Sequence, residues 1–328
     1  MTFVSKPPEF MNQLKTVLPY VKPYRRVFLW GLLMVVISNV FTIAGPFLMK
    51  EAIDGLGDEG ARTGTLAGMI VLAAILGGAA KFGMRQLLNT ASRRVEKDLR
   101  DDFFRHLMGL DSSFYSATRT GDLMSRATND TLAVRMATGP AVMYSVNTVV
   151  SFCFSLALML WISPKLTMVG LIPMVVLPPI VIGVGKIIHR RFEAIQEQLS
   201  NLSTMVQENL TGLRIIRAYV QEQAQEAQFE AMNRDYMDRN MGLVKASGFF
   251  FPLLMLVAGL AMVLVLWYGG LQVMEGAITV GEFVAFNFYL ALLTWPMIAL
   301  GWVVNLFQRG DASMGRLNRI METESAVR

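Results

Sequence analysis

The chain has 328 residues, 53% hydrophobic and only 17% charged, with a mean hydropathy of +0.43 and a net charge of +5. A soluble globular domain rarely has that balance, and long charge-free stretches are its usual cause. One cysteine, Cys153, excludes an intrachain disulfide framework, and the placement of the basic residues described below accounts for the positive charge without a nucleic-acid partner.

The first 26 residues are polar, with Pro7 and Pro8 near the start. Phe10, Leu14, Val17 and Leu18 then follow helical spacing up to Pro19, which predicts a short elbow helix lying on the membrane interface. Six charge-free runs come next, at 27–49, 63–80, 136–163, 166–185, 246–274 and 283–308. About 20 residues at ~1.5 Å each cover a ~30 Å hydrocarbon core, so each run is long enough for one crossing. The first is long enough to span rather than to act as a cleaved signal. Residues 1–26 thus read as tail and elbow, 27–308 as a six-span domain, and 309–328 as the end of the sixth helix and the start of a linker.

Segments 1–26, 81–135, 186–245 and 309–328 carry 27 of the 30 Lys and Arg, and the intervening segments carry three. The positive-inside rule places both termini in the cytoplasm. The outer connections are short, 164–165 and 275–282, whereas 81–135 and 186–245 are too long to be structureless. Leu99, Phe103, Leu107 and Leu110 repeat at helical spacing in the first long loop. Ile188, Phe192, Ile195, Leu199, Leu202, Val206 and Leu210 do so in the second, among charged neighbours. Each membrane helix is therefore expected to continue into water as one arm of a hairpin, turning near Gly121 and Gly212.

Catalytic motifs are missing. Gly183-Val184-Gly185-Lys186 lacks the remaining residues of a phosphate loop. His106 and His189 have no companions at metal-ligand spacing, so no metal site is expected. Lys81, Arg85, Glu275 and Glu282 read as lying at or beyond the edges of the spans, which leaves the bundle without an ion for proton or sodium coupling. Neutral polar residues do occur inside the runs: Ser38, Asn39 and Thr42; Tyr144, Asn147, Thr148 and Ser151; Asn287, Thr294, Gly301 and Asn305, with Trp295 nearby. They read either as helix-packing contacts or as the wall of a cavity for amphipathic cargo, to which Phe286, Tyr289 and Trp302 would add aromatic surface.

At the loop tips the sequence resembles ABC exporters. Phe114-Tyr115, then Arg119-Thr120-Gly121-Asp122-Leu123-Met124-Ser125-Arg126, then Asn129-Asp130 is similar to the family's first intracellular loop. Glu208, Gly212, Arg214-Ile215-Ile216-Arg217-Ala218-Tyr219 and Glu222 resemble its second loop. Trp295-Pro296 through Gln308-Arg309-Gly310 and Ala312-Ser313 to Arg316 resembles its sixth helix, and the details look most like half-transporters of the heterodimeric multidrug branch. The resemblance implies an all-α membrane fold of six long helices in a domain-swapped dimer, working by alternating access in a bacterial cytoplasmic membrane. It implies a first coupling helix at Ser112, Ser113, Phe114, Tyr115, Ser116, Ala117 and Thr118, followed by a loop motif of Gly121, Asp122, Ser125, Arg126 and Asp130. The second coupling helix is implied at Thr211, Gly212, Leu213, Arg214, Ile215, Ile216 and Arg217, with Tyr219 beside it.

The implied partners are a second six-span half, membrane lipid, a small amphipathic substrate and nucleotide-binding domains that hold ATP and magnesium. No Walker motif lies in this chain, so the expectation is a transmembrane part joined to, or working with, an ATPase outside it. The alternative expectation is a proton-driven peptide carrier that uses the same membrane fold without an ATPase.

Overall fold

The computed structural model describes residues 12–57 and 63–325. Among these residues the chain forms helices and turns and no strand, and six helices are long and apolar enough to cross a membrane. Short turns at Gln13–Val17, Leu18–Val21 and Lys22–Tyr24 form the elbow. The helices are α1 Arg25–Asp54, α2 Thr63–Met108, α3 Ser112–Ala117 and α4 Thr120–Ile162. After them come α5 Pro164–Thr211, α6 Leu213–Ala218, α7 Glu222–Met274 and α8 Val280–Met321. Phe10, the first residue of the expected elbow stripe, lies outside the described residues.

Local chemistry sets the helix ends. Thr279 caps α8 by accepting from the Glu282 amide at 3.0 Å, while the Glu282 carboxylate accepts from the Thr279 amide at 3.0 Å. Ser163 is extended before Pro164, which opens α5 where a missing N–H costs nothing. Gly276, at φ 72°, ends α7: the Ala277 amide returns to the Gln272 carbonyl at 2.8 Å and the Gly276 amide to Val273 at 3.0 Å. α5 and α7 have 48 and 53 residues. At ~1.5 Å per residue they are about 70 and 80 Å long, more than twice the ~30 Å hydrocarbon thickness.

The chain divides into two compact units, Met1–Gly170 with Leu264–Arg328, and Leu171–Val263. In the first, the elbow, α1, α2, α4 and α8 enclose one core that includes Val17, Val35, Leu88, Val95, Leu99, Phe103 and Leu317. Of the expected stripe of α2, Leu99 and Phe103 are fully buried in it and Leu107 packs against it, while Leu110 lies past the end of the helix. Small residues set the approach of helix to helix. A Cβ on Gly31 would meet Leu88 Cγ at 2.6 Å, and one on Gly77 would meet Phe41 Cβ at 3.1 Å. Gly139 and Gly310 bring α4 against Ser92 of α2 and α8 against Ala137 of α4. α4 includes two π turns, Arg126–Asp130 and Ala137–Ala141. The second contains Pro140, whose ring and missing N–H the wider turn accommodates.

The second unit is an antiparallel hairpin of the α5 and α7 segments joined by α6. Gln198 donates to the Met232 carbonyl at 3.1 Å, and Arg239 donates to the Ala194 carbonyl at 3.0 Å. The expected stripe of α5 splits here. Ile195 and Leu202 are buried, joined by Gln198 and Met205, whereas Phe192, Leu199, Val206 and Leu210 are exposed. A single antiparallel partner covers only one seam of an apolar face this wide.

Candidate functional site

The first loop tip is a two-turn helix on a polar cap. The Asp111 carboxylate accepts from the Phe114 amide at 3.3 Å and from Ser113 Oγ at 3.1 Å, which starts α3. Ser112 is its first residue and accepts, through its carbonyl, from Ser116 Oγ at 3.0 Å. Tyr115 OH donates to the Leu107 carbonyl at 2.6 Å, tying α3 to the end of α2. The Phe114 and Tyr115 rings meet edge to face at 5.5 Å. The helix ends at Ala117, and Thr118, expected within it, is extended because the chain must reverse toward α4.

The loop motif folds into a ladder of alternating charge along α4. Arg126 lies between Asp122 and Asp130, one turn to either side, at 3.1 and 3.2 Å. Asp130 is buried and also holds Arg316 of α8 through two guanidinium nitrogens, while Arg316 donates to Ser313 Oγ at 2.8 Å. Burial alone would raise the Asp130 carboxyl. Hydrogen bonds from Arg316, Ser313 and Arg126, together with the Arg316 charge, outweigh it and hold the group below the ordinary carboxylate range. Gly121 and Ser125 are exposed, and Ser125 joins Arg126, Asp130, Arg309, Ser313 and Arg316 around a shallow cleft of about 400 Å³. Sequence reading named Asp130 and Arg316 in separate motifs, 186 residues apart, and did not pair them. Nothing local signals the pairing, because Asp130 stands between Asn129 and Thr131 and already has Arg126 one turn away.

At the second tip, Thr211 is the last residue of α5 rather than part of the cross-helix, and Gly212 precedes α6. The Gly212 carbonyl accepts from the amides of Ile215 and Ile216 at 2.8 and 3.0 Å, so one residue ends α5 and starts α6. α6 closes as α7 does at Gly276: Gln221 N–H returns to the Ile216 carbonyl at 2.9 Å and Val220 N–H to Arg217 at 3.3 Å. Here the left-handed position is held by Val220, at φ 52°, a strained conformation for a β-branched residue. Leu213, Ile215, Tyr219 and Val220 are exposed, as are Arg214 and Arg217, while Ile216 is half-buried. The tip therefore presents apolar and cationic groups together.

Within the bundle, the Asn39 amide donates to Asn147 Oδ1 at 2.9 Å and to the Val35 carbonyl at 2.9 Å, joining α1 to α4. Tyr144 meets Trp302 of α8 edge to face at 5.0 Å. Thr42 bonds back to the Ser38 carbonyl at 2.8 Å, and the Asn287 amide to the Phe283 carbonyl at 2.9 Å. Trp295, Gly301 and Asn305 are exposed and Thr294 is half-buried. Phe286 and Tyr289, read as cavity aromatics, are instead fully buried between helices, with Tyr289 OH on the Ile43 carbonyl at 3.4 Å.

A clasp that the sequence did not signal joins α1, α4 and α8 at their other end. Lys50 pairs with Glu282 at 3.1 Å and lies over the Trp161 ring at 5.1 Å. Asp54 accepts from the Gly281 amide at 2.8 Å and from Thr279 Oγ at 2.7 Å.

Six spanning helices, several far longer than a bilayer is thick and joined through short exposed cross-helices, define a polytopic helical membrane domain. The chain belongs to the ABC transporter transmembrane region family, whose family model matches residues 28–297. It is 34% identical over 94% of its length to the multidrug resistance-like ATP-binding protein MdlA of Escherichia coli, covering 53% of that protein. It has the same identity and coverage with the probable multidrug resistance ABC transporter ATP-binding/permease protein YheI of Bacillus subtilis. With the ATP-dependent lipid A-core flippase of Photobacterium profundum it shares 27% identity over 96% of its length and 55% of that protein's. The chain thus spans about half the length of the curated relatives it matches.

Proposed function

We propose that this chain is the pathway-forming part of an ATP-driven exporter of amphipathic compounds. The observation that carries the reading is the pair of short cross-helices, α3 and α6, each at the end of long helices and each exposing side chains to solvent. They act as coupling helices: α3 with Thr118, and α6 with Thr211, Gly212 and Tyr219, seat in grooves of nucleotide-binding domains. Those domains, outside this chain, hold ATP and magnesium, and ATP supplies the energy. The part played by this chain is mechanical, since a displacement at either tip passes along a continuous helix into the bilayer and alternates access to the cavity. Family membership and relatives named as ATP-binding proteins support this reading.

The exposed line of Phe192, Leu199 and Val206, seven residues apart, fits coverage by a second six-span half. Charge placement supports cytoplasmic termini, and bacterial relatives support the cytoplasmic membrane. In the full-length transporter, Gly212→Pro or charge reversal at Arg214 and Arg217 should uncouple ATP hydrolysis from transport. Cargo-stimulated hydrolysis and transport that both remain at wild-type rates would sink the assignment of α6. The proton-driven alternative predicts transport by the chain alone in vesicles with a pH gradient.

A further inference from the structure

Two cations that the sequence placed at the membrane edge lie deeper in the structure. α1 carries no charge between Arg26 and Lys50. That run is ~35 Å long, so a ~30 Å hydrocarbon core must fall almost wholly within it. Three close approaches fix the register of α2 against it: Leu88 at Gly31, Gly83 at Met34 and Gly77 at Phe41. Lys81 therefore lies between the levels of Met34 and Phe41, near the middle of the run. Arg85 lies between Gly31 and Met34, one to two turns in from the end marked by Arg26. The absence of membrane charge is accordingly no longer an argument against an ion-coupled carrier.

Lys81 and Arg85 are one turn apart on an exposed face of α2, beside the exposed ring of Phe82. Neither makes a hydrogen bond or ion pair among the described residues. At 100° per residue both point within ~20° of Ser92, which faces Gly139 of α4 three turns further on. The Asn39–Asn147 bond lies at the level of Lys81. Two like charges at this spacing repel each other, and cations at this depth are costly unless they are paired. The six charge-free runs contain no carboxylate to pair them. A counter-charge at this depth would come from outside the chain. A compact ammonium beside a planar guanidinium suits an oxyanion with several acceptor oxygens, and the apolar surroundings suit a hydrocarbon tail.

We infer that Lys81 and Arg85 form a binding site for the acidic head, phosphate or carboxylate, of an amphiphile whose tail stays in the membrane. The inference builds on the topology and amphipathic cargo proposed above, but its test does not pass through transport. Purified full chain in neutral detergent is titrated with dodecyl phosphate and with dodecylphosphocholine, which share a tail and differ in net charge. The wild type should prefer dodecyl phosphate by about tenfold or more, as expected for two charge-assisted contacts. Lys81→Gln with Arg85→Gln should bring the two ligands within about twofold, while Lys81→Arg with Arg85→Lys should keep most of the preference.

A wild type without preference, or a glutamine pair that retains it, overturns the site. The wild-type comparison stands even if the glutamine pair fails to fold. Phosphatidylglycerol that co-purifies and displaces dodecyl phosphate identifies a membrane lipid as the source, and binding without retained lipid identifies a free acid. Because binding is read on the chain alone, the site can fail while ATP-driven transport stands, and the reverse.

Discussion

The Asp130–Arg316 pair gives the sharpest quantitative test of how α4 and α8 are joined. Replacing Arg316 by Ala leaves a buried carboxylate with Arg126 as its remaining guanidinium partner, since the Asp130 side chain is 9% exposed and that of Arg316 34%. A charge-assisted hydrogen bond contributes about 1.5–3 kcal/mol. Breaking a fully buried pair costs about 3–5 kcal/mol, but water reaches Arg316, so the lower range applies. Arg316→Ala and Asp130→Ala should each lower stability by about 2 kcal/mol, or roughly 3 °C in thermal midpoint for a chain of this size. The double variant should fall short of the sum by about 1–2 kcal/mol. Additivity within about 0.5 kcal/mol would refute the pairing. The pH dependence has a definite sign. An acid held below its unfolded value adds stability that is present above that value and lost as pH falls through the folded one. The coupling should therefore stay flat from pH 8 to 5 and vanish only below about pH 4, the ordinary carboxylate range.

Other parts of the structure give independent tests. Val220→Gly removes a left-handed strain of about 1–2 kcal/mol against a glycine entropy cost of about 0.5–1. Amide exchange at Gln221, which bonds to the Ile216 carbonyl, should slow, and faster exchange would contradict the strain. Asp54→Ala deprives the start of α8 of two hydrogen bonds and should cost about 1 kcal/mol in thermal unfolding. An unchanged midpoint would mean that the clasp contributes nothing. Gly310→Leu drives a side chain into Ala137 and the Ala133 carbonyl and should cost about 1–3 kcal/mol, so a variant of wild-type stability would disprove the close α4–α8 approach.

How much of this was legible depended on the range of the interaction. The spans could be read because a run without charge needs no partner to identify it, and the α2 stripe of Leu99 and Phe103 because helix period alone decides which face is apolar. The α5 stripe was legible as apolar but not as two seams, since only a packed hairpin shows that Leu202 is covered and Leu199 is not. Lys81 was misplaced because depth depends on the register between two helices, which is set by glycine contacts that hydropathy does not record. The ends of α3 and α6 shifted by a residue or two because a chain reversal consumes Thr118 and Gly212. The turn at Val220 carried no signal, since neither Gly nor Asn occupies it.

The elbow is tied to the last turns of α8: the Leu14 amide donates to Asp311 at 3.0 Å, and Asn318 Nδ2 donates to Gln13 Oε1 at 2.9 Å and Thr16 Oγ at 3.0 Å. His106, near the end of α2, reaches the Ile320 carbonyl at 2.9 Å. Two segments almost 300 residues apart in sequence are thus one mechanical piece. A pull applied beyond Met321 would pass through the last turns of α8 to Tyr20 and Tyr24, where the chain enters α1, without crossing the bundle. The elbow is then a strut that moves with the end of α8.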